Sequence, residues 1–345
     1  MKLGLQLGYW GASPPPDALD KVVEAERLGF DAVFTAEAWG SDAFTPLAWY
    51  GSRTSRIRLG TSIVQLSART PTATAMAALT LDHLSGGRHV LGLGLSGPQV
   101  VEGWYGQPFA KPLARTREYV AIVRQVLARQ GPVTGEGPHY PLPYRGEGSV
   151  GLGKPLKAIV HPLRADVPIL LGAEGPKNIA MTAEIADGWL PIYYAPRVAD
   201  MYRGWLNEGF ARPGARRSAG DFEIASNCTI VVTDDPDRVL DEMKPVLGFY
   251  IGGMGAKEVN FHKDVFSRMG YEKEADQIQD LFFEGRREEA IAAVPREMVA
   301  DISLVGPAAK IRDGVAEWEE AGVTMLVVGA RSLDEMRQVA QVILG

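Results

Sequence analysis

A short loop, Gly172 to Asn178, contains residue types that suit the binding of an anion. Its two glycines, Gly172 and Gly175, allow a ligand to approach the backbone closely, and Pro176 suits the first turn of a helix. The free amides at the start of that helix attract negative charge, to which Lys177 adds a cation. The residues therefore predict a phosphate-binding loop, although an ordinary glycine-rich turn explains them equally well.

Other reactive side chains give weaker signals. The five histidines are scattered and show no pairing at metal-ligand spacing, so no metal site is predicted. His83 lies near the end of a predicted helix, where hydrogen bonding explains it better than catalysis, and Cys228 lies in an apolar segment as a packing residue. Gly92-Leu93-Gly94 lies within a predicted strand and lacks the features of a P-loop or a dinucleotide fingerprint. No conventional nicotinamide domain is therefore predicted.

Eight strand-like segments alternate with helical segments along the chain. The strands are predicted at residues 3–7, 31–35, 57–64, 89–95, 168–171, 189–193, 223–232 and 324–328. Helical patterns cover residues 17–28, 73–84, 113–129, 178–186 and 308–320. This α/β alternation indicates a parallel sheet, and at this chain length it favours a closed (β/α)8 TIM barrel over an open doubly wound sheet.

A barrel of this kind has its active site at the carboxyl ends of the strands. The residues that follow each strand are therefore the candidates for the active site. They are Tyr9, Trp10, Glu37–Asp42, Ser62–Gln65, Gly94–Gln99, Gly172–Lys177, Tyr193, Tyr194 and Asn227. Aromatic side chains such as Trp39, Trp104 and Tyr193 could line a pocket for a planar ring or belong to the core. The predicted phosphate-binding loop is one of these candidate segments.

Two segments do not fit the repeat and are predicted as insertions after the fourth and seventh strands. Residues 131–166 form a long excursion, because residues 131–155 alone contain seven glycines and five prolines, and such a loop often acts as a lid. Residues 252–299 carry charged helical patterns. These patterns favour a solvent-exposed helical insertion over a segment that covers the substrate. Residues 1–345 are predicted to form one domain that contains both insertions.

The composition limits the class of partner. With 345 residues, of which 46% are hydrophobic, the chain can bury a large core. A formal net charge of -6 provides no positive field for nucleic acid, and no run of about 18 apolar residues predicts a membrane span. A single cysteine excludes an internal disulfide. We therefore expect a cytoplasmic protein that acts on a small molecule and binds neither nucleic acid nor membrane.

Several motifs resemble the signature of the bacterial luciferase-like superfamily. They are Arg69-Thr70-Pro71, Leu84-Ser85-Gly86-Gly87-Arg88, Leu91–Gly94, Leu171–Lys177, Ala183–Gly188 and Val305-Gly306-Pro307. Glu37–Asp42 after the second strand and Gly60–Ile63 in the third look most similar to the branch that uses the deazaflavin coenzyme F420, which includes methylenetetrahydromethanopterin reductases. The resemblance covers the barrel frame and leaves the two insertions outside it.

The resemblance implies an F420-dependent oxidoreductase that moves a hydride between C5 of the deazaflavin and a small organic substrate. It places the ring in the barrel mouth, against a bulged third strand with a cis peptide bond at Ser62-Ile63, and the cofactor phosphate on Gly172–Lys177. The cofactor-binding residues are then Glu37, Ser62, Ile63, Gln65, Ser96, Gly97, Gly172, Ala173, Glu174, Gly175, Pro176 and Lys177. It also implies a homodimer formed through outer helices.

The chain departs from the related dehydrogenases after the second strand, where Glu37-Ala38 replaces an Asp-His pair. Without that imidazole, the candidates for proton transfer are the carboxyl groups of Glu37, Asp42 and Glu102. The identity of the substrate stays open. Two alternatives also stay open: an FMN-dependent luciferase-like monooxygenase, because both cofactors share a ring shape and a phosphate, and a non-catalytic flavin-binding barrel.

Overall fold

The strand-like segments form a closed barrel in the structure, a computed structural model that describes all residues from Met1 to Gly345. The strands are β1 (Lys2–Gly8), β2 (Ala32–Thr35), β3 (Arg58–Thr61), β4 (Val64–Gln65), β5 (His89–Gly94), β6 (Ile169–Gly172), β7 (Gly188–Leu190), β8 (Glu223–Asn227), β9 (Thr229–Val232), β10 (Ser303–Gly306) and β11 (Met325–Val328). Nine of them form one parallel sheet in the order β3-β2-β1-β11-β8-β7-β6-β5-β4, in which β5 also pairs with β3. Because β3 and β4 are two parts of one barrel strand, this pairing closes eight strands into the predicted (β/α)8 TIM barrel.

The third and seventh predicted strands each divide into two. The third is interrupted at Ser62 and Ile63, whose peptide bond is cis, as the resemblance implies. The seventh is interrupted at Cys228: β8 stays in the barrel beside β11, whereas β9 leaves it and pairs with β10 in a separate two-stranded sheet. Strand β10 lies outside the predicted strands, because four residues are too few to show a clear alternation.

Fourteen α-helices surround and connect the strands. They are α1 (Ala18–Leu28), α2 (Phe44–Gly51), α3 (Pro71–Ser85), α4 (Pro98–Gly103), α5 (Pro112–Ala128), α6 (Pro176–Ile185), α7 (Ala199–Phe210), α8 (Pro236–Gly253), α9 (Phe261–Phe266), α10 (Glu272–Phe283), α11 (Arg287–Ala292), α12 (Arg296–Ala300), α13 (Ala308–Glu320) and α14 (Leu333–Ile343). Their ends follow local capping residues: Thr70 accepts a hydrogen bond from the amide of Ala73 at the start of α3, and Gly86 ends that helix with a φ of +67°. None of the helices combines the length and the apolar character needed to cross a bilayer.

Side chains fill the lower part of the barrel. Eight buried residues pack together there: Ala32, Phe34, Val90, Leu170, Leu190, Ala225, Met325 and Val327. A Cβ on Gly92 would lie 1.8 Å from the carbonyl oxygen of Thr61, so only glycine fits at that position. At the amino ends of the strands, Arg58 donates two hydrogen bonds to the Glu223 carboxylate, at 3.1 and 2.7 Å. The carboxyl ends of the strands are therefore left to form the functional site.

Two long connections interrupt the alternation. Residues 129–168, between α5 and β6, contain no helix or strand, and one antiparallel bridge joins Gly135 to Leu142. Residues 233–302, between β9 and β10, contain α8 to α12. Gly285, with a φ of +80°, separates α10 from α11 within the charged helical pattern.

The second connection reaches the carboxyl end of the barrel. The rings of Phe261 in α9 and Phe109 before α5 have centroids 6.2 Å apart. Arg268, just after α9, donates a hydrogen bond of 3.4 Å to the carbonyl oxygen of Glu174, which follows β6. Residues of this connection therefore lie beside the candidate functional site.

Candidate active site

Ile63 lies in the barrel mouth, between β3 and β4, with its side chain towards β5 and β6. A Cβ on Gly94 would lie 2.8 Å from the Ile63 side chain, and a Cβ on Gly172 would lie 3.4 Å from it. Ile63 also packs on the apolar residues inside the barrel. The structure therefore brings Ile63 and Gly172, two of the predicted cofactor-binding residues, together in one apolar surface.

The backbone at Ser62-Ile63 is held by the neighbouring strand. The amide of Ser62 donates to the carbonyl oxygen of Thr35 at 2.7 Å, and the amide of Glu37 donates to the carbonyl oxygen of Ile63 at 3.2 Å. Nε2 of Gln65 donates to the carbonyl oxygen of Glu37 at 3.0 Å, whereas Oε1 of Gln65 is buried and has no partner. Buried acceptors are normally paired, so this oxygen marks a place where a ligand donor would fit.

The carboxylate of Glu37 is fully engaged by groups of the protein. Nη1 of Arg69 donates to both of its oxygens, at 2.7 and 2.8 Å, and the amides of Gln65 and Ala43 donate at 3.0 and 3.4 Å. Only 3% of the Glu37 side chain is exposed. Glu37 therefore connects the end of β2 to β4 and to the loop that precedes α3.

The other two predicted proton carriers lie at helices. Oδ1 of Asp42 accepts hydrogen bonds from two backbone amides in the first turn of α2, both at 2.9 Å, and lies 3.9 Å from Nη2 of Arg69. Glu102, in α4, is exposed and accepts one backbone hydrogen bond at 3.3 Å. Asp42 therefore shares Arg69 with Glu37, and the structure does not bring Glu102 to this pair.

The loop from β6 to α6 has free donors and open space in front of it. The amides of Gly175, Lys177 and Asn178 donate to no other backbone atom, and Pro176 has no amide hydrogen. A Cβ on Gly175 would meet no atom within 4 Å. Together with the exposed cation of Lys177, the start of α6 is chemically suited to an anion.

The other predicted cofactor-binding residues lie in two turns of the barrel mouth. The carbonyl oxygen of Ala173 accepts a hydrogen bond of 2.8 Å from Nε1 of Trp189, which fastens the β6–α6 loop to β7. Ser96 follows β5 with a φ of +61°, and Gly97 precedes α4 in an extended conformation. These two residues therefore form the turn that leads from β5 into α4.

Glu174 is an acidic residue within the loop that is suited to an anion. The residue is partly accessible, and Oε2 of its carboxyl group has no hydrogen-bond partner in the protein. Oε1 accepts a hydrogen bond from the amide of Ile192 at 3.1 Å. Burial raises the pKa of Glu174 to about 8, although this hydrogen bond and the charge of Arg268 both favour the ionised form. This shift favours the protonated acid relative to an ordinary glutamate.

An aromatic cluster from three different elements lies next to Glu174. Tyr193, after β7, has its ring centroid 6.3 Å from that of Tyr250 in α8 and 5.9 Å from that of His262 in α9. Burial lowers the pKa of His262 to about 4, and its Nδ1 is buried without a partner. Tyr250 and His262 were not among the predicted site residues, because the charged pattern around them indicates a solvent-facing insertion.

Two amide side chains lie near the mouth on either side of β11. Nε2 of Gln6 donates to Oδ1 of Asn227 at 3.5 Å, and Oε1 of Gln6 is buried without a partner. Asn227 is among the predicted site residues, whereas Gln6 is not. The alternation of Gln6 with Leu5 and Leu7 was the signal that could have identified it, because neighbours in a strand point to opposite faces.

The structure also assigns the residues that the sequence left undecided. Tyr194 belongs to the core, where its hydroxyl donates to the carbonyl oxygen of Ala321, and Cys228 is buried as predicted. Trp39 and Trp104 are exposed. No group of three or more His, Cys, Asp or Glu side chains is arranged to hold a metal ion.

Comparison with known proteins identifies the family. The sequence model of the family described as "Luciferase-like monooxygenase" matches residues 5–325. A Mycobacterium tuberculosis relative named "Putative coenzyme F420-dependent oxidoreductase Rv3520c" is 64% identical over 343 residues, which are 99% of each chain. The 5,10-methylenetetrahydromethanopterin reductase of Archaeoglobus fulgidus is 27% identical, over 89% of this chain and 87% of that protein.

A solved structure supports the same assignment at the level of the fold. The coenzyme F420-dependent tetrahydromethanopterin reductase from Methanopyrus kandleri superposes with a TM-score of 0.80 at 24% identity, over 99% of this chain and 98% of the other. The family match covers almost the whole barrel, and the mycobacterial relative matches nearly end to end. On this basis, the chain belongs to the luciferase-like monooxygenase family.

Proposed function

We propose that the protein is a coenzyme F420-dependent oxidoreductase that moves a hydride between C5 of the deazaflavin and a small organic substrate. The name of the mycobacterial relative, 64% identical, supports this activity. The structural observation that carries the proposal is the position of Ile63, whose side chain meets Gly172 at the start of the β6–α6 loop. An apolar surface for a ring and a helix end for a phosphate thus lie side by side at the open end of the barrel.

The β6–α6 loop fits the phosphate of such a cofactor. The free amides of Gly175, Lys177 and Asn178 supply donors, and the open space at Gly175 admits the anion. We infer that these groups hold the phosphate, with Lys177 adding electrostatic attraction. The proposal includes Ser96 and Gly97, in the turn after β5, as further contacts.

The mouth fits the ring. Oε1 of Gln65 and Oε1 of Gln6 are both buried acceptors without donors, and the pyrimidine part of a deazaflavin carries an N–H group. Ile63 offers an apolar side chain on which a flat ring can lie. The cofactor supplies the redox chemistry when it is bound, and this chain contributes orientation and a shaped pocket.

The protein groups around the mouth position the reactants and exclude water. The ion pair of Glu37 with Arg69 fixes the loops that flank Ser62 and Ile63. Because the Glu37 carboxylate already accepts four hydrogen bonds, we infer that it positions these loops rather than carrying a proton. Asp42 and Glu102 remain proposed proton carriers, and replacing each by its amide tests them: a turnover that is unchanged from pH 5 to 9 would remove that residue from the role.

We also propose that the protein works as a homodimer in the cytoplasm. Large apolar side chains are exposed in the connection before β6: Val150, Leu152, Leu156, Ile159, Val160 and Leu163. Leu84, at the end of α3, is exposed as well, and its neighbour His83 contacts the carbonyl oxygen of His161 at 2.7 Å. So many exposed large apolar side chains in one segment are unusual on a monomer, and a second copy of the chain would cover them.

Cofactor titration tests the proposed function. The purified apoprotein is titrated with F420 and, separately, with FMN, and binding is followed by fluorescence quenching. We expect F420 to bind more tightly. Preferential binding of FMN would favour a monooxygenase instead, and failure of both to bind would contradict the proposal. Oxidation of reduced F420 by carbonyl and alkene substrates then separates an enzyme from a non-catalytic flavin-binding barrel.

A further inference from the structure

Helix α9 contacts residues on two sides of the barrel mouth. The ring of His262 in α9 has its centroid 5.9 Å from that of Tyr193, which follows β7. The preceding residue, Phe261, has its ring centroid 6.2 Å from that of Phe109, in the segment between β5 and α5. Because β6 lies between β5 and β7 in the barrel, α9 forms part of the wall of the mouth.

Tyr250 in α8 completes a cluster with Tyr193 and His262. Its ring is perpendicular to that of His262, with centroids 4.9 Å apart, and its centroid lies 6.3 Å from that of Tyr193. Burial raises the pKa of Tyr250, and the phenol of Tyr9, just after β1, raises it further. The polar aromatic cluster, which consists of Tyr193, Tyr250 and His262, therefore lies between the loops that follow β1 and β7.

The polar atoms of this cluster have no hydrogen-bond partner in the protein. Nδ1 of His262 is buried and unpaired, whereas Nε2 of His262 and the hydroxyl groups of Tyr193 and Tyr250 are unpaired but keep access to solvent. Tyr193 is only 9% exposed, and its ring also packs on Phe266, with centroids 4.8 Å apart. A hydroxyl that reaches solvent from so buried a ring lies at an opening, where it is available to a ligand.

The cations of α9 and of the turn after it are engaged by carboxylates. Nζ of Lys263 lies 2.7 Å from Asp276, and Nη2 of Arg268 lies 3.6 Å from Asp264. Glu174, beside the cluster, adds a negative charge whenever it is ionised. These charges disfavour a carboxylate or a phosphate on a molecule that enters the cluster.

The remaining polar groups at the mouth give no free cation for the substrate either. Nη1 of Arg69 donates to both carboxylate oxygens of Glu37, and the proposed function assigns Lys177 to the cofactor phosphate. The side chains of Gln6 and Asn227 are uncharged amides. Uncharged donors and acceptors therefore remain to recognise the substrate.

We propose that Tyr193, Tyr250 and His262 bind the oxygen atom of the substrate, and that the substrate is an uncharged ketone or the corresponding alcohol. The inference rests on the proposed function, because it needs hydride transfer at the mouth. Phenol and imidazole groups both donate and accept hydrogen bonds, so they suit a carbonyl and a hydroxyl oxygen alike. The apolar faces of these rings, with Phe261 and Phe266, supply contacts for the body of the molecule.

The reaction balances for this class of substrate. In reduction, the ketone gains a hydride at carbon and a proton at oxygen, both released when reduced F420 is oxidised, and the C=O bond becomes C–OH. Oxidation of the alcohol is the reverse. Neither direction places a net charge on the substrate, which agrees with an uncharged oxygen subsite.

Binding of matched probes to the full-length protein, with and without F420, tests the subsite. Acetophenone, cyclohexanone and cyclohexanol are the uncharged probes, and para-acetylbenzoate carries the ketone of acetophenone together with a carboxylate. The histidines are isotope-labelled for NMR, and the ring signal of His262 is identified by its absence in His262→Asn. We expect the uncharged probes to shift this signal, and para-acetylbenzoate to bind at least about tenfold more weakly than acetophenone, because its charge finds no free cation.

Two variants remove one hydroxyl each and keep the aromatic ring. Because neither hydroxyl bonds to the protein, Tyr193→Phe and Tyr250→Phe should unfold at the wild-type temperature. Each should weaken the binding of the uncharged ketones by about three- to tenfold, the effect of one lost hydrogen bond. Tyr144→Phe, at an exposed tyrosine between α5 and β6, is the control and should bind them as tightly as wild type does.

The outcomes separate this inference from the proposed function. A His262 signal that no uncharged probe shifts would overturn the subsite, as would equal affinity for acetophenone and para-acetylbenzoate, or unchanged affinity in both Y193F and Y250F. If F420 binds and no ketone does, the subsite is wrong and the proposed function stands. If F420 fails to bind while acetophenone still shifts the His262 signal, the subsite is supported and the proposed function is contradicted.

Discussion

Glu37 and Arg69 form a partly buried ion pair in which Nη1 of Arg69 lies 2.7 and 2.8 Å from the two carboxylate oxygens. The guanidinium also lies over the ring of Phe44, 5.4 Å from its centroid. The pair joins the loop after β2 to the residue two positions before α3, on the side of the barrel mouth where Ser62 and Ile63 lie. Glu37 is the buried partner, with 3% of its side chain exposed, whereas 24% of the Arg69 side chain is exposed.

The first prediction concerns this pair. Glu37→Gln should lower the free energy of unfolding by about 1.5 to 3 kcal/mol, because the buried side chain loses its charge-assisted hydrogen bonds to Arg69. Asp42→Asn is the matched control: it should cost only about 0.5 to 1 kcal/mol, since Asp42 is more exposed and mainly caps α2. Urea denaturation measures both. Equal losses in the two variants would contradict the structural role of Glu37.

The second prediction separates cofactor binding from folding in the β6–α6 loop. Gly175 has an extended backbone and an added Cβ would meet no atom within 4 Å, so Gly175→Val should change the free energy of unfolding by less than about 1 kcal/mol. It should weaken F420 binding, because the side chain would occupy the space before the free amides. Gly92→Ala should instead destabilise the fold strongly, because its Cβ would lie 1.8 Å from a backbone oxygen. An unchanged F420 affinity in folded G175V would exclude the loop as the phosphate site.

The third prediction is a loss of stability in acid caused by His89. This side chain is fully buried, donates through Nδ1 to the carbonyl oxygen of Leu59 at 2.8 Å, and has a pKa lowered to about 4 by burial. Since the unfolded chain binds the proton near pH 6.5, this stabilisation is present above pH 6.5 and is lost as the pH falls towards 4. The expected loss is on the order of 2 to 3 kcal/mol between these limits.

His89→Asn tests this prediction, because an asparagine amide can keep the hydrogen bond to Leu59 but does not titrate. The free energy of unfolding, measured from pH 7 to 4, should depend less on pH in H89N than in wild type. His83→Gln is the control, because it removes a histidine at an exposed position. Identical pH dependence in H89N and wild type would assign the acid sensitivity to other groups.

The fourth prediction concerns the proposed dimer. Ile159 is 92% exposed within the apolar segment before β6, so Ile159→Asp should place a charge in the interface and dissociate the dimer. Light scattering should report about twice 37.3 kDa for wild type and 37.3 kDa for I159D. Val246→Asp, at an exposed valine of α8 outside this segment, should remain dimeric. A wild-type mass of 37.3 kDa at all working concentrations would refute the dimer.

Local patterns were sufficient to predict the frame of the protein. Buried side chains recur every second residue in a strand and about every 3.6 residues in a helix, so the apolar pattern identifies each element. The alternation of these strands and helices then indicates the barrel. The glycines and the proline of residues 172–177 likewise predict the turn and the helix start that the structure contains. Periodicity could not show that β9 leaves the barrel, since the apolar pattern of residues 223–232 continues through Cys228 while the partner strand changes from β11 to β10.

The sequence alone determined which residues form the barrel and which loops lie at its mouth, because both follow from neighbours within a few positions along the chain. Only the tertiary structure decided what the acidic residues there can do. Glu37 is engaged by Arg69, 32 positions away, whereas Glu174 meets only one donor, 18 positions away, and has a raised pKa. Hydrogen-bond partners and pKa values depend on atoms that folding brings together from distant segments, so no local pattern distinguishes these two glutamates.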